Sequence, residues 1–130
     1  EINNIKNGMD WTTEDGTLFP NHRLTEPSDP PRSFAYCSDT CYLPELAQYI
    51  QKADLLFHEA TFSHDDLARA KETFHTTALQ AATLARDSQV KKLCIGHFSA
   101  RYEDESQLLK EAQSIFEPTI LARENLLIKI

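Results

Sequence analysis

The chain has 130 residues, which is enough for one domain with a modest core. Its formal net charge of −7 argues against a protein that holds nucleic acid by bulk electrostatics, because phosphate contact requires lysine and arginine. An odd count of three cysteines argues against a disulfide framework, and no apolar run is long enough to cross a membrane, so we expect a reduced, cytoplasmic protein.

The first 32 residues are rich in turn formers and have little periodic apolar pattern. We interpret residues 1–32 as an irregular lead-in segment with one short strand or hairpin between Trp11 and Phe19. Residues 33–130 carry the regular pattern and are predicted to form the folded α/β unit. The chain begins at Glu1 rather than at methionine, so we expect a fragment of a longer protein or a processed chain.

Short apolar runs alternate with helical patterns through the rest of the chain. Thr77 and Gln80 have the spacing of a capping box at the start of an alanine-rich helix. The order predicts a largely parallel sheet with flanking helices, closed by an antiparallel edge. The predicted strands are 33–37, 54–57, 92–96, 119–121 and 126–130, and the predicted helices are 44–51, 63–72, one from 77 and one from 104.

Three of the predicted strands end in polar clusters that contain Asp39, the pair His58 and Glu59, and His97. In open α/β sheets, sites form outside the carboxyl ends of the strands, so these side chains are expected to meet at one edge. Imidazole and carboxylate are usual zinc ligands. Taken singly, each residue is better explained by a structural role: Asp39 as a helix cap, and the two histidines as core residues bonded to backbone. Their occurrence at equivalent strand ends favours a shared site.

Two further segments could bind an anion or a base. His75, Thr76 and Thr77 precede a helix, whose N-terminus offers free N–H groups to phosphate. On spacing alone, a plain helix cap with a surface histidine is the better explanation. Arg101 and Tyr102 follow His97 and could offer a cation and a stacking ring at the same edge. An ordinary surface ion pair of Arg101 with a nearby acidic residue is the alternative.

The motifs together resemble the ribonuclease Z family over residues 33–130. They are Ser38-Asp39-Thr40, His58-Glu59-Ala60-Thr61, His75-Thr76-Thr77 and Gly96-His97-Phe98-Ser99-Ala100-Arg101-Tyr102, in the order and spacing of that family. The resemblance implies an α/β fold, the second half of a metallo-β-lactamase-like αββα sandwich, with a mixed sheet and flanking helices. It also implies an endoribonuclease with two zinc ions that cleaves precursor tRNA at its 3′ side.

The resemblance also implies roles for individual residues. Asp39 resembles the carboxylate that bridges the metals, and His97 resembles a histidine ligand. His58 resembles the residue that assists proton transfer to the leaving 3′ oxygen, with Glu59 as its orienting partner. The implied contacts to phosphate and RNA are His75, Thr76, Thr77, Arg101 and Tyr102.

The family's first-half motif, His-x-His-x-Asp-His, does not occur in this sequence. Because zinc takes about four ligands, we expect this chain alone to bind zinc weakly or not at all and to be inactive. Its expected partners are precursor tRNA, the missing N-terminal half of the same protein and a second copy in a homodimer. The alternatives are another hydrolase of the same fold acting on an ester or thioester, and a non-catalytic α/β binding module.

Overall fold

The computed structural model describes residues 1–130, which form two compact units, Glu1–Pro31 and Arg32–Ile130. In the first unit, strands β1 (Trp11–Thr12) and β2 (Leu18–Phe19) pair antiparallel and confirm the predicted hairpin. Trp11 stacks on Phe19 with ring centroids 5.4 Å apart. The short helices α1 (Ile2–Lys6) and α2 (Asn21–Leu24) were not predicted, because neither is long enough to show an apolar period.

The second unit is an alternation of strands and helices. Its three α-helices bury alanine- and leucine-rich faces, and two 3-10 turns follow the first two strands. The elements are β3 (Phe34–Cys37), a 3-10 helix (Pro44–Gln48), β4 (Leu55–Glu59), a 3-10 helix (His64–Asp66), α3 (Leu67–Glu72), α4 (Ala78–Asp87), β5 (Leu93–Gly96), α5 (Ser106–Ile115) and β6 (Thr119–Leu121). None of the helices combines the length and hydropathy needed to cross a bilayer.

The four strands of the second unit lie in the order β3-β4-β5-β6, and every pairing is parallel. The predicted mixed sheet with an antiparallel edge is therefore wrong. Residues 126–130, predicted as a strand, form none, and Leu127 is 95% exposed. The parallel arrangement brings the carboxyl ends of all four strands to one edge.

Helix α4 covers one face of the sheet with small side chains. Ala78, Ala81, Ala82 and Ala85 are fully buried, which allows the helix backbone to approach the sheet closely. Leu56, Leu93 and Ile95 meet them from the strands, and α5 packs against α4 through Leu108 and Ala112. The predicted capping box at Thr77 and Gln80 is confirmed and fixes where α4 begins.

The opposite face of the sheet is aromatic and largely open to solvent. Phe34 is 55% exposed and Tyr36 is 65% exposed, and Tyr36 stacks on Phe57 at 4.8 Å. Gly96 lies beside this face, where a Cβ atom would come within 2.9 Å of the Phe57 ring. The absence of a side chain at Gly96 therefore allows Phe57 to lie flat on strand β5.

We predict that Gly96→Ala lowers the free energy of unfolding by roughly 1–3 kcal/mol, because the new methyl group overpacks against Phe57. Urea denaturation of the chain measures this change. In a Phe57→Leu background the ring is absent, and the same substitution should cost clearly less. Equal losses in both backgrounds would contradict the steric explanation.

Candidate metal centre

Three side chains able to bind a metal converge at the carboxyl edge of the sheet. Asp39, His75 and His97 each offer a ligand atom, and these atoms lie within 4.8 Å of one another. Asp39 Oδ2 is 3.2 Å from His97 Nε2, and the rings of His75 and His97 stack with centroids 5.3 Å apart. The side chains of Asp39 and His97 are about half exposed, so the cluster is open to solvent.

The fold explains why these residues meet. Asp39 follows β3 and His97 follows β5, so both leave the sheet at the edge where parallel strands end. His97 has a φ of +61°, in the left-handed region that residues with a side chain adopt at a cost. The hydrogen bond from Ser99 N to Thr61 O, 3.0 Å long, helps to hold this turn. His75 reaches the cluster from the loop before α4.

A buried carboxylate, Glu59, joins the loops that carry the cluster. It is 0% exposed and accepts five hydrogen bonds. Oε1 accepts from the backbone N–H groups of Thr40 (3.2 Å) and Thr76 (2.8 Å), and lies 3.0 Å from Nδ1 of His75. Oε2 accepts from the N–H and the hydroxyl of Thr61 at 2.9 and 2.8 Å. Glu59 is thus the common anchor of three loops.

Thr61, two residues after Glu59 on the same side of the chain, extends this network to the second histidine. Its hydroxyl lies 2.9 Å from His97 Nδ1 and 3.2 Å from His75 Nδ1. Thr61 was not predicted as a site residue. The signal available in the sequence was its position two residues after Glu59, which returns a side chain to the same side of an extended chain.

His58, which is expected from the family resemblance to assist proton transfer, does not join the cluster. Neighbouring residues of a strand point to opposite faces, so Glu59 faces the loops and His58 turns into the core. His58 is 0% exposed, its Nδ1 lies 2.6 Å from the carbonyl oxygen of Glu59, and its Nε2 has no hydrogen-bond partner. Burial lowers the pKa of His58 below its ordinary value, which favours the neutral ring.

The hydroxyls of Thr76 and Thr77 are also committed within the protein, contrary to the expectation that they face a phosphate. Both residues are 0% exposed. The Thr76 hydroxyl donates to the carbonyl of Thr40 at 2.7 Å, and the Thr77 hydroxyl caps α4. His75, whose side chain is 21% exposed, is the member of this motif that reaches the open cluster.

Arg101 and Tyr102, predicted as RNA contacts, are engaged with the segment after β4. Arg101 pairs with Asp66 at 3.0 Å rather than with an acidic neighbour in sequence, and its guanidinium lies 5.0 Å from the Phe62 ring centroid. Tyr102 donates to Asp66 at 2.5 Å and accepts from Ser63 N at 2.9 Å. These contacts brace the loop that follows His97.

The donor set fits a divalent metal ion. Two imidazoles and one carboxylate form the mixture that zinc and similar borderline ions accept in proteins. Three protein donors fall short of a closed tetrahedral site, so further ligands would have to come from outside the cluster. A histidine that binds a metal through one ring nitrogen is usually oriented by a hydrogen bond to the other ring nitrogen. His75 has such a contact with Glu59, and His97 has one with Thr61.

Comparison with known proteins agrees with this picture. The family profile described as "Beta-lactamase superfamily domain" matches residues 23–98. Among solved structures, the metallo-beta-lactamase fold protein YhfI of Bacillus subtilis superposes with a TM-score of 0.69 at 23% identity, over 76% of this chain and 40% of that one. The short form of human tRNase Z gives a TM-score of 0.52 at 33% identity, over 65% of this chain and 27% of that one.

Curated relatives match over the whole chain. Ribonuclease Z of Bacteroides fragilis (strain YCH46) is 61% identical over all 130 residues, which make up 43% of its own length. Ribonuclease Z of Bacteroides thetaiotaomicron is 62% identical over 130 residues and 41% of its length. The chain therefore spans less than half the length of these relatives and corresponds to their C-terminal part.

We predict that His58 makes the chain less stable in acid. Because its pKa is lowered in the folded state, the unfolded state takes up the proton first as the pH falls below the ordinary value of 6.5. The free energy of unfolding should therefore decrease below that pH, by at most about 1.4 kcal/mol per pH unit for one proton. Urea denaturation between pH 5 and 8 measures the slope.

The matched variants for this prediction are His58→Asn and His22→Gln. Asparagine can still donate to the Glu59 carbonyl but does not titrate, so the slope should become shallower even if the chain is less stable. His22 is exposed, and its replacement should leave the slope unchanged. An unchanged slope in His58→Asn would contradict the prediction.

We predict that Tyr102→Phe lowers the free energy of unfolding by about 1–3 kcal/mol, because Asp66 loses a donor and the amide of Ser63 loses its acceptor. Thermal or urea denaturation measures the loss. Tyr49→Phe is the control, since Tyr49 is 77% exposed and its hydroxyl has no partner in the protein. Equal stability of the two variants would show that the brace is not formed.

Proposed function

The chain belongs to the beta-lactamase superfamily, and on that premise we propose that it forms part of a zinc-dependent endoribonuclease that cleaves precursor tRNA at its 3′ side. The observation that carries the proposal is the convergence of Asp39, His75 and His97 around the buried Glu59. The names of the relatives support the choice of RNA as substrate, because Ribonuclease Z proteins match along the full chain at 61–62% identity.

In this proposal Asp39 and His97 would hold metal, with the carboxylate of Asp39 and the imidazole of His97 as donors. Their exposed side chains face the open cluster, where ligands from the rest of a longer protein can complete the coordination. When bound, zinc supplies positive charge that stabilises the attacked phosphodiester and makes water a better nucleophile near neutral pH. Because this chain provides only part of the ligand set, we propose that it is inactive alone.

We assign proton transfer to His75 rather than to His58. Glu59 Oε1 lies 3.0 Å from His75 Nδ1, which orients the ring and leaves Nε2 as the free nitrogen. From Nε2 the ring can give a proton to the 3′ oxygen as the P–O bond breaks, and it then remains neutral with its proton on Nδ1. The side chain is partly exposed, as an acid that must reach substrate requires.

The open aromatic face of the sheet fits the rest of the longer protein. In an αββα sandwich, two sheets pack face to face, and Phe34, Tyr36 and Phe57 form a surface suited to such packing. We propose that the N-terminal half covers this face and that the complete protein acts as a homodimer in the cytoplasm. We propose that the main tRNA-binding surface lies elsewhere in the longer protein, because the net charge of this chain is −7.

The test is a chimeric protein in which this chain replaces the matching 130 residues of the Bacteroides fragilis relative. We predict that the chimera cleaves precursor tRNA at its 3′ side and that this chain alone does not. In the chimera, His75→Gln should lower kcat by roughly 10²–10⁴-fold, the range expected for loss of a general acid. Single-turnover cleavage of labelled precursor tRNA measures the rate.

Three comparisons make the result decisive. His22→Gln in the chimera should retain full activity, and Asp39→Asn should abolish it together with bound zinc. A chimera that folds, binds zinc and hydrolyses a model thioester but not precursor tRNA would support the alternative hydrolase instead. A chimera without either activity would favour a non-catalytic module and contradict the proposal.

A further inference from the structure

The hydroxyl of Thr61 has an unusual position, because three functional side chains contact a single oxygen atom. Thr61 is 5% exposed, and its Oγ1 lies 2.8 Å from Glu59 Oε2, 2.9 Å from His97 Nδ1 and 3.2 Å from His75 Nδ1. A hydroxyl has one proton to donate and two lone pairs to accept with. The direction of each of these contacts is therefore determined by where that proton goes.

The proton of Thr61 goes to Glu59. The two oxygens of Glu59 already receive backbone N–H groups from Thr40, Thr61 and Thr76, so the carboxylate acts as an acceptor throughout. A hydrogen bond to a buried ionised acceptor is stronger than one to a neutral ring nitrogen. With its proton used in this way, the Thr61 hydroxyl can only accept from the two histidines.

We propose that Thr61 is a positioning residue that fixes the tautomer of His97. The His97 ring keeps its proton on Nδ1, which points at Thr61, and so presents Nε2 to the pocket beside Asp39. The Nδ1 atom of His75 lies closer to the carboxylate of Glu59, at 3.0 Å, than to Thr61, so Glu59 is the main partner of that ring. The inference rests on the proposed function for what the pocket binds, whereas the position of the His97 ring proton is inferred from the contact of Nδ1 with Thr61.

His97 depends on this contact most. Its side chain is about half exposed and its backbone is left-handed, so packing alone does not fix the ring. Thr61 Oγ1 is the hydrogen-bond partner of its Nδ1, while Nε2 faces Asp39 Oδ2 at 3.2 Å. With Nδ1 protonated, Nε2 and the carboxylate oxygen both carry lone pairs toward each other, an arrangement that a bound cation stabilises. Thr61 thereby prepares Nε2 as the ligand atom.

The first test reads the tautomers directly in the full chain. Long-range ¹H–¹⁵N correlation spectra of histidine-labelled protein, recorded at about pH 8 without added metal, distinguish protonated from unprotonated ring nitrogens. The expected result for the wild type is a protonated Nδ1 and an unprotonated Nε2 in both His75 and His97. A wild-type His97 that carries its proton on Nε2 would overturn the proposal without any variant.

Thr61→Val and Thr61→Ser separate the hydroxyl from the shape of the side chain. Valine keeps the shape and removes the acceptor, so His97 should change to the Nε2-protonated form and donate to Asp39. Serine keeps the hydroxyl and should retain the wild-type tautomers. The proposal fails if valine leaves the tautomer of His97 unchanged or if serine behaves like valine. Should the valine variant not fold, Thr61→Ala supplies the same comparison with serine.

The second test measures zinc affinity in the chimera, using zinc chloride and a competing chelator. Loss of a residue that orients a metal ligand typically weakens binding by about 10–100-fold, and we expect this for Thr61→Val, with Thr61→Ser close to wild type. Unchanged affinity in Thr61→Val would contradict the positioning role. If the chimera binds no zinc while the tautomers are as expected, the proposed metal function fails and the hydrogen-bond assignment stands.

Discussion

The arrangement of this molecule depends on one buried carboxylate. Glu59 is removed from water at the end of a central strand, and such a group is tolerated only when hydrogen bonds replace its hydration. Backbone and side-chain donors of Thr40, Thr61, Thr76 and His75 provide that replacement. The same bonds bring together the loops after β3 and β4 and the loop before α4. The hydrogen bonds that make the burial of Glu59 possible thus also hold the candidate metal centre in place.

The candidate metal centre also depends on the parallel sheet, because the residues that follow parallel strands lie at the same edge of the sheet. Asp39 and His97 come from β3 and β5, on either side of β4 with its Glu59. On one face α4 lies close through its alanines, whereas the aromatic residues of the other face remain open. The side chains of the centre are therefore rigidly supported from one side and exposed toward the other, where a longer protein can add ligands and substrate.

Much of this could be predicted from the sequence, because strong local patterns agree with the fold. The strand ends that place Asp39 and His97 together, and the capping box before α4, follow from periodicity and spacing. The burial of His58 and the place of His75 in the cluster could not be predicted in the same way. Strand geometry shows that His58 and Glu59 point to opposite sides of β4, but it does not show which of the two side chains reaches the loops. Residues 126–130 have the composition of a strand, but a strand also needs a sheet edge to pair with, and these residues pair with none.

The most direct test of the account is a crystal structure of the chimera grown with zinc, with anomalous diffraction recorded on both sides of the zinc absorption edge. The account predicts a zinc peak bound by Asp39 and by Nε2 of His97 at about 2.0–2.2 Å, with His75 beside it and still bonded to Glu59. A zinc peak bound by other residues would contradict the account. The absence of any zinc peak in a crystal whose protein atoms are at full occupancy would also contradict it. So would a map in which Glu59 has left the three loops while the metal remains bound.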